Sequence, residues 1–299
     1  MTGAEAKSEA GGVHYWTSRD GLRLHYRDYP GRSDRPPIIC LHGLTRNGRD
    51  FAELAARLVG EWRVIVPDFR GRGGSDYDPA PEHYAPPTYA GDVIQLMGLL
   101  QVEAAVFIGT SLGGLVTMAI ATVAPRMIAG TVLNDVGPEL EAAGLERIRG
   151  YVGQFARFSD WAEAAGHLAE RNREIHPHYT LDDWERMARR ICRQIEGSIR
   201  FDYDMAIADN VLAPATGPAV DAWPFFRALS HAPLLILRGE LSDLLSAKTA
   251  LAMGADHPDS ELICVDDVGH APDLQEPEAI AGIERLLAKV AHKPPEVNN

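Results

Sequence analysis

The segment Gly109-Thr110-Ser111-Leu112-Gly113 sets a serine between two glycines, after an apolar run over residues 105–108 and before an apolar helical pattern over residues 115–123. Glycines leave no Cβ to clash, so the chain can turn sharply from strand to helix and push the serine hydroxyl clear of the sheet. The helix N-terminus beneath it favours a developing negative charge. A serine hydroxyl is a poor nucleophile at neutral pH and needs a base. Of the 11 histidines, His270 is the one whose position fits. It lies in Val268-Gly269-His270-Ala271-Pro272, just beyond the last strand pattern, on the sheet edge where Ser111 also belongs. His83 sits in a proline-rich loop. His176 and His178 sit in a helical stretch, where either could line a pocket.

A histidine base needs a carboxylate to hold its tautomer and stabilise the imidazolium. Asp243 is the expected partner, because it follows the strand pattern of residues 234–237 and so reaches the same sheet edge. Glu240 in the same loop and Asp135 after the preceding strand are its rivals. An oxyanion formed on acyl attack needs two donors. The backbone N–H of Leu112 is one, and the N–H of Leu44, in the loop after Leu41-His42-Gly43, is the other. His42 suits shaping that loop. His42, Gly43 and Arg46 are also candidate substrate contacts, Arg46 as a receiver for a substrate carboxylate. No cysteine or histidine spacing fits a metal site, and no cofactor is implied.

The elements that must position these groups alternate. Residues 13–19 and 22–29 flank Asp20-Gly21, a hairpin signal. Apolar runs at 37–41, 62–66, 105–108, 128–133, 233–237 and 262–265 suit strands buried on both faces, and helical patterns fall between them at 49–58, 89–100, 115–123, 222–229 and 278–290. This predicts an α/β fold with a mostly parallel central sheet of about eight strands and helices on both faces. From residue 139 to about residue 212 the pattern reads as helices with no strand between them. The expected organisation is a first core segment over residues 13–136, a helical lid over residues 137–220 and a second core segment over residues 221–292.

The 299 residues are 45% hydrophobic and 24% charged, and 29 basic against 42 acidic residues leave a net charge of −13. That composition is globular. The acidic balance argues against a nucleic-acid partner, and Arg186, Arg189, Arg190 and Arg193 read as one solvated helix face. Of the three cysteines, Cys40 and Cys264 read as buried free thiols in strands, which fits a reducing compartment. Residues 1–12 contain no apolar core of a signal peptide, and no run approaches the roughly 18 apolar residues that cross a bilayer. A cytoplasmic protein with a small-molecule substrate and no membrane partner, monomeric or homodimeric, is the expectation.

Taken together, His42-Gly43 after a strand, Asp68-Phe69-Arg70-Gly71-Arg72-Gly73-Gly74-Ser75, the serine turn, Arg238-Gly239 before Asp243, and Gly269-His270-Ala271-Pro272 resemble the α/β-hydrolase superfamily. The likeness is to the branch of esterases, lactonases, epoxide hydrolases and C–C bond hydrolases. It implies that Asp68 and Arg70 shape the scaffold, and that Ser111, standing where epoxide hydrolases and haloalkane dehalogenases carry an aspartate, disfavours those two activities. The implied reaction is hydrolysis of a carboxylic ester or lactone through an acyl-enzyme. A C–C bond hydrolase of aromatic catabolism, with the same triad, is an alternative. A slow-turnover ligand receptor of the same fold is another.

Overall fold

The computed structural model describes residues 11–214 and 220–292. Residues 1–10, on which the leader reading rests, and residues 215–219, near the expected end of the lid, lie outside the described residues. The chain opens with β1 (Gly12–Thr17) and β2 (Arg23–Tyr29), paired antiparallel around Asp20-Gly21, where Gly21 takes φ +94°. Then follow β3 (Ile38–Leu41), α1 (Ala52–Leu58), β4 (Val64–Pro67), α2 (Pro86–Leu99), β5 (Ala105–Thr110), α3 (Leu112–Val123) and β6 (Ile128–Asn134). An insertion carries α4 (Ala142–Arg149), α5 (Trp161–Asn172), α6 (Leu181–Ile191), β7 (Cys192–Ile195), β8 (Ser198–Phe201) and α7 (Ile207–Leu212). The core resumes with α8 (Trp223–Arg227), β9 (Leu234–Gly239), α9 (Ala247–Asp256), β10 (Ser260–Val265) and α10 (Pro277–His292).

Eight strands form one sheet in the order β1-β2-β4-β3-β5-β6-β9-β10. β2 runs antiparallel to both neighbours, and every pairing from β4 to β10 is parallel. The strand period of two divides the core. Ile39, Leu41 and Phe107 join α2, α3 and α8 on one face, through Val93, Val116 and Phe226. Ile38, Cys40, Val106 and Ile108 join α1 and α10 on the other, through Leu54, Ile283 and Leu287. Coverage of both faces explains why β3, β4 and most of β5 are apolar without alternation.

The insertion has a core of its own, in which Leu168 of α5 and Trp184, Met187 and Ile191 of α6 meet Phe158 and Ile199. The all-helical expectation fails at one place. Residues 192–201 form an antiparallel hairpin, closed by Glu196-Gly197 with φ +49° and +76°. Two successive positive φ values make the tight turn whose twist suits paired strands. The spacing of Ile191 and Ile195 imitates a helix because so short an apolar run fits either period. The arginine row is not one solvated face either. Arg186 and Arg189 are exposed, whereas Arg190 is largely covered and meets Asp273, and Arg193 stands on β7 beside Asp202. Cys264 is exposed on the edge strand β10, while Cys40 and Cys192 are buried. No helix among the described residues is long and apolar enough to cross a membrane.

Candidate active site

Ser111 joins β5 to α3 with φ +52° and ψ −115°, a conformation that L side chains rarely adopt. Two glycines make the turn sterically feasible. A Cβ on Gly113 would lie 2.0 Å from the Leu41 carbonyl oxygen, and one on Gly109 would lie 2.6 Å from backbone atoms of Gly113 and Gly114. The Ser111 N–H donates to the Asn134 carbonyl at 3.0 Å, which ties the turn to the end of β6. Leu112 is the first residue of α3, so its N–H has no acceptor within the helix.

His270 Nε2 lies 2.9 Å from Ser111 Oγ. Its Nδ1 lies 2.7 Å from Oδ2 of Asp135, not of Asp243. Asp135 is fully buried at φ +54°, directly after β6. Its carboxylate accepts from Gly239 N–H on Oδ1 at 2.9 Å and from Ser242 Oγ on Oδ2 at 2.6 Å. Ser242 Oγ itself accepts from the N–H groups of Leu244 and Leu245, so its own proton is the one directed at Asp135.

The expected Asp243–His270 pair is therefore replaced. Asp243 forms a bidentate ion pair with Arg147 of α4, with Nε–Oδ2 at 2.6 Å and Nη2–Oδ1 at 2.7 Å. Burial pushes the Asp243 carboxyl up, but the Arg147 guanidinium outweighs it and holds the group below the usual carboxylate range. Glu240 lies in the same loop but accepts the Asp267 N–H instead.

The loop after β3 is fixed from two sides. His42 is completely buried, its Nε2 accepts the Phe69 N–H at 3.0 Å and its Nδ1 lies 2.8 Å from the Gly43 carbonyl. Nε2 must be the bare nitrogen, so Nδ1 carries the proton and donates it to Gly43. Burial drives the His42 pKa down to about 4, which keeps the ring neutral. A held Gly43 carbonyl fixes the Gly43–Leu44 peptide plane, and in a trans peptide the Leu44 N–H points to the opposite side. Arg72, also fully buried, donates from Nε to the Leu44 carbonyl at 2.9 Å and from Nη1 to the Tyr89 hydroxyl at 2.8 Å. His42 thus shapes the loop and does not line the cavity, which corrects its place among the candidate substrate contacts. Asp68 serves the same scaffold through Gly48 N–H, Gly74 N–H and His25, and Arg70 through Asp20, Asp78 and Asp92.

Ser111 and His270 open into a cavity of about 490 Å³ between the sheet edge and the insertion. Gly43, Leu44 and Arg46 line it from the core; Tyr151, Phe155, Leu168 and Met187 line it from the insertion. Arg46 is held by Asp50, Nε–Oδ2 at 2.6 Å and Nη2–Oδ1 at 2.9 Å. His176 lines the cavity as well, stacked on Tyr179 at 4.2 Å between ring centroids, and burial drives its pKa down to about 4. His178 is exposed beside Asp267. Arg147, Ser242 and Arg72 are the site residues that sequence reasoning does not single out. Arg72 alone has a local signal, since it lies inside the quoted Asp68–Ser75 segment.

Among the described residues, one acid–histidine group is compact enough to hold a metal: Asp20, Asp78 and His83. Arg70 already occupies its centre, 2.7 Å from Asp20 and 2.5 Å from Asp78, and none of the three lines the cavity. The cation there is the guanidinium.

Comparison with known proteins agrees with this architecture. The chain is 33% identical over 267 residues, 87% of its length and 90% of the relative's, to the 3-hydroxybutyrate-oligomer hydrolase of Cupriavidus necator. It is 28% identical over 81% of its length and 84% of the relative's to the 2-(acetamidomethylene)succinate hydrolase of Mesorhizobium japonicum. An α/β hydrolase crystal structure from Novosphingobium aromaticivorans superposes with a TM-score of 0.90 at 52% identity, covering 94% of this chain and 99% of that one. Residues 38–283 match the alpha/beta hydrolase family, and with these relatives they show that the chain is a hydrolase-family protein and belongs to the α/β hydrolases.

Proposed function

We propose that the protein hydrolyses a carboxylic ester through an acyl-enzyme on Ser111. The observation that carries this reading is the unbroken hydrogen-bonded chain Asp135–His270–Ser111 opening into the cavity. His270 takes the Ser111 proton at Nε2 as the hydroxyl attacks the ester carbonyl. Asp135 holds the Nδ1–H tautomer and stabilises the imidazolium. The oxyanion is received by the N–H groups of Leu112 and Leu44. His270 then gives its proton to the leaving alcohol. A water, deprotonated by the same nitrogen, releases the acid and restores Ser111. The insertion serves as the lid that gives the cavity its outer wall.

The relatives that match over most of the chain are named for a hydroxy-acid oligomer and for a succinate derivative. Both names describe compounds that carry a carboxylate. Short linear oligomers of 3-hydroxybutyrate are accordingly the first natural-type substrates to test. The experiment sets wild type against Ser111→Ala on these oligomers, p-nitrophenyl esters, small lactones and a vinylogous diketone, and maps a fluorophosphonate adduct by mass spectrometry. Ester turnover lost in Ser111→Ala, with the adduct on Ser111, is the expected result. Turnover of the diketone with none of any ester overturns the ester reading.

A further inference from the structure

Two arginines line the cavity, one from each side: Arg46 in the oxyanion loop of the core and Arg147 on α4 of the insertion. Their tethers are alike. Each gives Nε and Nη2 side-on to a single carboxylate, Arg46 to Asp50 and Arg147 to Asp243, over distances of 2.6–2.9 Å. A guanidinium has five N–H donors, and this pairing uses two of them. In both residues Nη1 meets no acceptor among the described residues. The carboxylates fix both planes and leave the outer edge of each fork unused. Arg46 stands next to the reacting group, for a Cβ placed on Gly43 would lie 3.3 Å from Arg46 Cγ and 3.9 Å from Ser111 Cβ.

A plain aliphatic ester offers these donors only neutral oxygens, which accept more weakly than a charged group. A second, anionic group in the substrate suits them better, because charge-assisted bonds to a pre-oriented fork are strong and directional. We infer that Arg46 and Arg147 form a carboxylate subsite beside Ser111, so that the substrate is an ester bearing a free carboxylate. The inference rests on the ester-hydrolase reading of the same cavity. The two anchors lie on different parts of the chain, Arg46 on the core and Arg147 on the insertion.

The test uses the linear dimer of 3-hydroxybutyric acid as the free acid and as its primary amide. The proteins are wild type, Arg46→Met with Asp50→Asn, and Arg147→Met with Asp243→Asn. Removing each charge pair together strands no buried carboxylate. Wild type should favour the acid in kcat/KM by about 10- to 100-fold, and each double variant should lower that ratio at least about fivefold. If a double variant fails to fold, Arg147→Lys and Arg46→Lys replace it. They keep the charge, lose the fork and should also lower the ratio. Calorimetry of both compounds on Ser111→Ala, with and without the arginine changes, separates the two claims. Equal hydrolysis of acid and amide, or a ratio untouched by every arginine variant, overturns the subsite and leaves the hydrolase standing. Acid-selective binding that depends on both arginines, without hydrolysis by wild type, upholds the subsite and overturns the ester reading.

Discussion

Replacing Asp135 by asparagine isolates the choice of triad acid, because the surroundings of that side chain dictate what the amide can do. The carboxylate accepts three hydrogen bonds, from Gly239 N–H on one oxygen and from Ser242 Oγ and His270 Nδ1 on the other. An amide has one oxygen. If it stays with Gly239, the NH₂ group faces His270 Nδ1 and forces the proton onto Nε2, so the ring can no longer take the Ser111 proton. If the amide flips, its NH₂ group confronts the Gly239 N–H at 2.9 Å, two donors with no acceptor between them. The flipped form would keep the Nδ1–H tautomer but sets two buried donors against each other, so the unflipped form is favoured. It removes the base, and loss of the correct tautomer in a serine triad costs about 10³- to 10⁴-fold, or ~4–5.5 kcal/mol. Asp243→Asn instead weakens the Arg147 pair, which is partly open to solvent, and should lower kcat/KM on an uncharged ester less than about tenfold. The assay is p-nitrophenyl butyrate hydrolysis with Ser111→Ala as the floor and circular dichroism as the folding control. A Asp243→Asn loss larger than the Asp135→Asn loss would refute the assignment.

Three further outcomes follow from the same geometry. Ser242→Ala removes the hydroxyl that donates to Asp135 and should reduce kcat about tenfold, with recovery in Ser242→Thr; an unchanged pair of rates would show that Ser242 only caps its loop. Gly113→Ala should destabilise the fold by at least about 3 kcal/mol in urea titration, since its methyl would meet the Leu41 carbonyl at 2.0 Å, and a midpoint matching wild type would contradict the close approach. His176 has its pKa lowered by burial to about 4, below the ordinary value near 6.5, so the unfolded chain binds a proton first on acidification. Its contribution to stability is full above pH ~6.5 and is lost as the pH falls toward ~4. His176→Gln should therefore flatten the fall in unfolding free energy between pH 6 and 5 by about 1 kcal/mol per pH unit, a prediction that parallel slopes would sink.

Particular residues decide how far the sequence speaks for this molecule. The strands beside the site, β3, β5, β6 and β9, are apolar through both faces, so their alternation with helices is visible without coordinates. Ser111 and His270, which the fold brings to 2.9 Å, are each picked out by local context. The acid is not, because Asp135 and Asp243 both follow a strand, both lie between Ser111 and His270 in the chain, and both reach the same sheet edge. What separates them is Arg147, 96 residues from Asp243, together with Gly239 and Ser242 closing on Asp135. Long-range pairing of this kind leaves no local pattern to read. The β7–β8 hairpin escapes for the opposite reason, as its strands have four residues each and fit either period.

With Asp135, directly after β6, beside His270, the loop after β9 is engaged elsewhere. Relieved of His270, Asp243 binds Arg147, while its own carbonyl accepts the Gly144 N–H at 3.0 Å and the Leu244 carbonyl accepts the Glu141 N–H at 2.9 Å. The insertion is thus fastened at the start of α4 to residues 243–244. One residue earlier, Ser242 holds Asp135. Residues 242–244 therefore serve two neighbours at once, Ser242 holding the Asp135 carboxylate and residues 243–244 holding the start of α4.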